Sequence, residues 1–163
     1  MRKYFINTLL AALLGFSLTP LAFAAGAVEV KSTAEIEIKK TNKEGKVEIT
    51  RGKVKSAPPG SEIIYTTSFK NMINKPIGNI GISNPIPNDT TYKAGSAEGA
   101  NTSITYSVDG GKTYDVPENL KAKDKEGKDR SALPAEYTHI RWVYKAELAA
   151  GKTSDVSFRA VIK

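Results

Sequence analysis

Ile63, Tyr65, Thr67 and Phe69 fall on one side of an extended chain, and Ile64, Thr66 and Ser68 on the other. A two-residue period is the mark of a half-buried strand, because successive side chains of a strand point to opposite faces. The same period returns along most of the chain. Val28-Glu29-Val30 and Ala34 to Ile38 alternate, turn residues fill Thr41–Lys46, and alternation resumes at Val47-Glu48-Ile49-Thr50, which predicts a β-hairpin. Ile140, Trp142 and Tyr144 alternate against His139, Arg141 and Val143. Val156, Phe158, Ala160 and Ile162 alternate against Asp155, Ser157, Arg159 and Lys163, with Val161 the exception, and Glu147–Asp155 is expected to be the turn that joins these last two strands. Beyond the first residues no stretch carries a helical period. Short strands separated by Gly, Pro and Asn predict an all-β fold, an antiparallel sandwich with a small barrel as the alternative.

The first residues follow a different rule. Arg2 and Lys3 precede an apolar stretch from Leu9 to Leu18, Pro20 breaks it, and Ala22-Phe23-Ala24 has the small-x-small form of a cleavage site. This is the pattern of a cleaved secretory signal peptide. The apolar run is shorter than the roughly 20 residues that a bilayer span needs. Cleavage between Ala24 and Ala25 leaves Ala25–Lys163, and Ala25-Gly26-Ala27 offers a second site of the same form. The expected organisation is therefore a signal peptide over 1–24, a hairpin region over 25–55, and a sandwich over 56–163 packed with the hairpin as one domain. No later apolar run is long enough to span a membrane. Periplasmic or extracellular localisation follows.

The chain has no cysteine, so disulfides, thiol metal sites and thiol nucleophiles are excluded. It carries 24 Lys and Arg against 17 Asp and Glu, a formal +7 that falls to +5 once Arg2 and Lys3 leave with the leader. Bases and acids are interleaved, as in Lys39–Lys55 and Lys121–Arg130. A nucleic-acid site would gather basic residues on one face with aromatics between them, so no nucleic-acid partner is expected.

The stretch Phe69–Ala97 is rich in Asn, Pro and Gly, yet isoleucines keep returning. It parses as strand end, turn, glycine-rich strand, turn and new strand. Asn71 ends the first strand, Asn74–Asn79 bends the chain, Ile77, Ile80 and Ile82 are anchors, and Asn84–Asp89 closes the second strand. Asparagine suits such places because its short amide bonds the local backbone and tolerates left-handed conformations. Pro58 and Pro59 stop the chain before Ser61, since proline has no N–H to give a ladder.

Three segments, Pro58–Asn71, Ile82–Ala97 and Ile140–Ile162, resemble the bacterial conserved-repeat domain of unknown function, the "DUF eleven" type of exported proteins. The residues that carry the resemblance are Pro59-Gly60, Tyr65-Thr66, Asn71, Asn84-Pro85-Ile86-Pro87, Thr91-Tyr92, Gly95-Ser96, Trp142, Leu148 and Gly151. It spans roughly Val54 to Lys163 and implies an immunoglobulin-like sandwich outside the cytoplasm. This chain holds one copy where the family often has tandem arrays, and Asn84 where an acid is common.

Chemistry is sparse. Ser107–Tyr114 (SVDGGKTY) resembles the Asp-box of sialidase-type propellers, with Tyr114 in place of Trp. A propeller repeats its motif every 40–50 residues or so, and this motif occurs once, so a fastened turn is expected in which Asp109 and Thr113 bond the backbone. His139 is the only histidine and has no recognisable catalytic companions. Glu35, Glu37 and Glu48 belong to the polar face of the hairpin. Asn84, Asn88, Asp89 and Asp109 offer hard oxygens of the kind calcium takes, but calcium wants about six to eight of them. No catalytic, cofactor or metal residue is assigned.

The function expected is a non-enzymatic module with a structural or interaction role at the cell envelope, its partner an envelope or extracellular protein or a glycan. The first alternative is an accessory domain that binds glycans or peptides through Tyr92, Tyr106, Tyr114 and Tyr137; a small hydrolase ranks below it. The candidate interaction loops are Asn74–Asn79, Asn84–Asp89 and Lys121–Arg130, with Lys75, Asn84, Asn88 and Asp89 the residues of interest. Tyr65, Trp142 and Phe158 are the expected core. N-terminal sequencing of the exported protein should begin near Ala25, whereas intact Met1 recovered from the membrane would contradict a cleaved leader.

Overall fold

A computed structural model describes residues 26–54 and 56–163, and for Lys39 the backbone alone. The expected leader and its expected cleavage residues Ala24 and Ala25 lie outside the described residues.

The described residues are all-β. Among them eleven strands run in the order β1 (Val28–Thr41), β2 (Val47–Lys53), β3 (Glu62–Asn71), β4 (Gly81–Pro85), β5 (Thr90–Tyr92), β6 (Glu98–Gly99), β7 (Thr102–Ser107), β8 (Lys121–Lys123), β9 (Asp129–Ser131), β10 (His139–Tyr144) and β11 (Thr153–Ile162). One 3₁₀ turn, Pro134–Glu136, precedes β10. All pairings are antiparallel. The larger sheet has the order β2-β1-β3-β11-β5, with β6 also on β11; the smaller has the order β4-β10-β7; β8 and β9 form a separate hairpin. Among the described residues no helix is long and apolar enough to cross a membrane.

The inward row of β3 runs Ile63, Tyr65, Thr67, Phe69 and Asn71, as the alternation predicts. Phe158 of β11 sits directly opposite Tyr65, and the two rings stack with centroids 5.0 Å apart. Across the gap between sheets, Trp142 of β10 approaches Phe158 at 6.3 Å, and Tyr144 meets the edge of Phe69 at 5.6 Å. Trp142, Phe158 and Phe69 are fully buried, so the two sheets share one core. Tyr65 belongs to that core by contact but is only half-buried, because it stands where the smaller sheet ends.

Two connections differ from the pattern of neighbouring strands. β10 and β11 follow each other in sequence yet lie in different sheets, so residues 145–152 cross between layers instead of closing a hairpin. Lys121–Arg130 is read from sequence as a charged loop; it is a hairpin of β8 and β9, held because the flanking Leu120 and Ala132 are buried and bonded to each other through their backbones.

Asn71 fixes the next turn. It is fully buried, its Nδ2 donates to the carbonyls of Lys75 and Leu148 at 2.8 Å each, and its Oδ1 accepts from Ile73 N at 3.0 Å. A buried amide is tolerated when its donors and acceptors are met, and here one side chain pins both the 72–77 turn and the crossover. Ile77 then pairs with Leu148.

Removing a buried aromatic costs its transfer energy and leaves a cavity, together about 3–5 kcal/mol. A single domain has about 5–15 kcal/mol in all. Trp142→Ala should therefore lower the urea midpoint sharply or unfold the domain, measured by circular dichroism; an unchanged midpoint would contradict this placement of the core.

Candidate interaction surface

β1 is the longest strand, and only part of it serves the core. Its register with β3 runs from Val28↔Asn71 to Ile36↔Ile63, and beyond Ile36 it pairs with β2 alone. Residues 37–51 thus form a two-stranded ribbon that leaves the body of the larger sheet. Its turn is built by Asn42, whose Oδ1 accepts from Glu44 N and Lys46 N at 3.0 Å each, with Gly45 at φ 79°. Positive φ is strained for a side chain with a Cβ and free for glycine. Ile38 lies across Gly52 on one face, where any Cβ at Gly52 would meet Ile38 Cδ1 at 2.7 Å. On the other face stand Val47 and Ile49, 62% and 58% exposed, beside Arg51 and Lys53.

An ion network begins at the base of this ribbon. Arg159 of β11 reaches Glu37 at 2.9 Å and Glu62 at 2.7 Å, and Lys93 reaches Glu62 at 2.6 Å. Glu62 is held below its ordinary carboxylate range, first by Lys93 and then by Arg159. The network covers the outer face of the sheet around Ile64, which lies in the same cross-strand row as Glu35 and Arg159 and is buried although it points away from the core.

A second feature opens at the side of the molecule, where β4 overlies β3 and leaves β1 uncovered. A cleft of about 290 Å³ is lined by Ser32, Tyr65, Thr67, Asn84, Pro85, Pro87 and Phe158, among others. Asn84 Nδ2 donates to Thr67 Oγ1 at 2.8 Å, and Thr67 Oγ1 lies 3.0 Å from Ser32 Oγ. This relay ties the two sheets together and gives the cleft a hydrogen-bonding wall beside an aromatic one.

The candidate residues fall in different places. Asn84 is half-buried and points between the sheets. Asn88 and Asp89 are exposed, and their carbonyls accept from Lys163 Nζ at 2.7 Å and Lys163 N at 2.9 Å. Lys75 is exposed at the opposite turn, where its carbonyl takes the Asn71 amide. The four tyrosines do not form an exposed row. Tyr92 and Tyr137 are buried and Tyr106 half-buried, with Tyr106 and Tyr137 centroids 4.7 Å apart and the Tyr92 and Tyr106 hydroxyls 3.3 Å apart. Burial is the main force that pushes the Tyr106 hydroxyl well above its ordinary value. Tyr114 lies beneath the Arg141 guanidinium at 3.7 Å.

The Ser107–Tyr114 segment is a fastened turn. Asp109 accepts from Thr113 Oγ1 at 2.6 Å, Ser107 Oγ at 2.7 Å and the N–H groups of Lys112 and Thr113 at 3.0 Å each. These bonds hold its carboxyl far below the usual range, Thr113 contributing most. Gly110 and Gly111, at φ 79° and 83°, carry the bend. The His139 ring packs against this turn, and its Nδ1 lies 3.2 Å from Thr138 Oγ1. Among the described residues no group of three or more His, Cys, Asp or Glu is placed to hold a metal ion. No family model matches the chain, and no curated protein matches it.

Glu136 fastens the segment before β10. It takes both guanidinium nitrogens of Arg130, at 2.7 and 2.6 Å, and accepts from Leu133 N at 2.8 Å. The Arg130 bonds, followed by the Leu133 bond, pull its carboxyl from 4.5 to about 2. A lowered folded-state value stabilises the fold above the unfolded value and loses that contribution as pH falls through the folded one. Between about pH 4.5 and 2, the melting-temperature advantage of the wild type over Glu136→Gln should therefore shrink. A difference that stays constant across that window would show that ionisation of Glu136 contributes nothing to stability.

Proposed function

We propose that this chain is an exported, immunoglobulin-like β-sandwich module that works by binding, not by catalysis, in the periplasm or outside the cell. The observation that carries this reading is the ribbon: a strand of 14 residues continues beyond the core to hold aliphatic side chains, cations and an open backbone edge in solvent. A chain that needed β1 only for its core would end it near Ile36. The resemblance of Pro58–Asn71, Ile82–Ala97 and Ile140–Ile162 to the DUF eleven type domain supports the same architecture and setting. The acidic side chains with lowered values, Glu62, Asp109, Asp129 and Glu136, each serve an ion pair or a turn, an arrangement that builds structure.

The cleft favours a second reading, an accessory domain for glycans. Tyr65 and Phe158 supply an aromatic wall, while Ser32, Thr67 and Asn84 supply neutral hydrogen-bonding groups, the combination that fixes a small polar ligand in a largely apolar pocket.

Photo-crosslinking residues placed at Thr50 on the ribbon, at Pro85 on the cleft wall and at Lys125 on the β8–β9 hairpin separate these possibilities in cells that export the protein. Crosslinks to one envelope component from Thr50 are expected, with none from Lys125. Crosslinks from Pro85 to glycan alone would favour the second reading. Turnover of a hydrolase substrate by the wild type and not by His139→Ala, or recovery of the protein only from cytoplasm, would overturn the proposal.

A further inference from the structure

β2 is a terminal strand of the larger sheet, and its register decides what its open side presents. Asn42 N donates to Lys46 O, which makes that pair a hydrogen-bonded one. Antiparallel pairs alternate between bonded and non-bonded types. Lys46, Glu48, Thr50 and Gly52 therefore turn their backbone groups toward β1, while Val47, Ile49, Arg51 and Lys53 turn theirs outward. The side chains of those same four residues share one face. The open edge thus reads Val, Ile, Arg, Lys at alternate positions, two aliphatic and two cationic.

The cations are unmatched. Glu37 lies opposite Arg51 and Glu35 opposite Lys53 in the register with β1. Yet Glu37 is drawn to Arg159, and among the described residues neither Arg51 nor Lys53 makes an ion pair. The neighbouring turn adds Lys40, Lys43 and Lys46 against Glu44 and Glu48, so the field at this edge is positive.

We propose that the free edge of β2 accepts an extended strand of an acidic polypeptide, which lies antiparallel to it with carboxylates opposite Lys53 and Arg51 and aliphatic side chains opposite Ile49 and Val47. Main-chain bonds supply the docking and alternate side chains the selectivity, as in other cases of strand addition to a sheet edge. This inference rests on reading the chain as an interaction module and names the class of partner.

Charge argues against a second copy as the occupant. A twofold axis through the paired edges puts residues of like parity opposite each other. Centred on Ile49, the pairing sets Val47 against Arg51; centred on Thr50, it sets Ile49 against Arg51 and Val47 against Lys53; centred on Arg51, it sets Arg against Arg. Glu48 lies on the other face in every case, so no register gives either cation a carboxylate. Cations on an edge strand are also a common guard against self-pairing. An anionic lipid surface is the weaker fit, because adsorption needs a single apolar face and this ribbon exposes Ile38, 39% exposed, on the face opposite Val47 and Ile49.

The test uses a synthetic peptide, Glu-Thr-Glu-Thr-Val-Thr-Val, titrated into the whole protein and followed by amide chemical shifts and calorimetry. Saturable binding is expected, with protection of the outward amides of Val47, Ile49 and Arg51, and with weakening in high salt. The double variant Arg51→Glu, Lys53→Glu should bind it at least about tenfold more weakly, as loss of charge-assisted pairs requires, and should bind the Lys-for-Glu peptide instead. Ile49→Pro removes an outward N–H while leaving the bonds to β1 in place, and should abolish binding with the fold retained by circular dichroism. Four results would each overturn the inference: no binding; binding indifferent to these variants; concentration-dependent self-association that the peptide cannot compete; or binding to anionic phospholipid vesicles that survives Ile49→Pro while the peptide does not bind. Any of these leaves the module reading standing if Thr50 still crosslinks to an envelope component in cells; loss of that crosslink fails the module reading separately.

Discussion

The contact between Trp142 and Phe158 holds the two sheets to one another, and the other features of the molecule are arranged around it. Trp142 is central in the three-stranded sheet, flanked by Ile82 and Ile104, and Phe158 lies opposite Tyr65 in the larger sheet. Aromatic residues carry the largest burial per side chain and gain further from edge and offset contacts. This core has no covalent help, because the chain lacks cysteine, so its stability comes from burial and from satisfied polar groups. Asn71 and the Asn84–Thr67–Ser32 relay show how polar groups enter such a core, by making bonds that link distant segments. The Trp142 indole N–H and the Thr66 hydroxyl are buried without a protein partner, and each subtracts from that stability.

Four of the turns follow one chemical rule. Asn42, Asn71, Asp109 and Asp124 each accept backbone N–H groups two to four residues ahead. A short side chain with an oxygen at its end imitates the carbonyl that a strand would have supplied, and lets the chain reverse without leaving donors unpaired. Short strands can therefore follow one another quickly, and β1 can be extended into solvent and turned back at Asn42 without a supporting layer.

Electrostatics connects this scaffold to the ribbon. Arg159 is set by β11, and it takes Glu37 from β1 and Glu62 from β3. That choice covers Ile64 and leaves Arg51 without its cross-strand carboxylate. Whether Glu37 serves Arg51 or Arg159 depends on residues more than a hundred positions apart. A local need, shielding an isoleucine on the wrong face, leaves a positive charge at a free edge.

Alternation and turn residues reveal β1, β2, β3, β10 and β11, where they stop, and the side chains that fasten the turns at Asn42 and Asp109, because these depend on near neighbours in sequence; the short β8 and β9 carry too few residues to show a period. The hairpin at Asn42, the inward row of β3 and the fastened turn at Asp109 were all legible for that reason. Membership of sheets was not, since alternation tells which side of a strand is buried and not which strand lies beside it; β10 and β11 look like a hairpin pair and sit in opposite layers. Tyr92, Tyr106 and Tyr137 could be surface hooks or core by pattern alone, and only the approach of β5, β7 and the segment before β10 put their rings together. The candidate edge was hidden for the same reason. Val47-Glu48-Ile49-Thr50 announces a strand, but its open side appears only once the strand order leaves β1 as its one partner among the described residues. Local chemistry decides what each segment becomes; long-range burial decides which edges are left over.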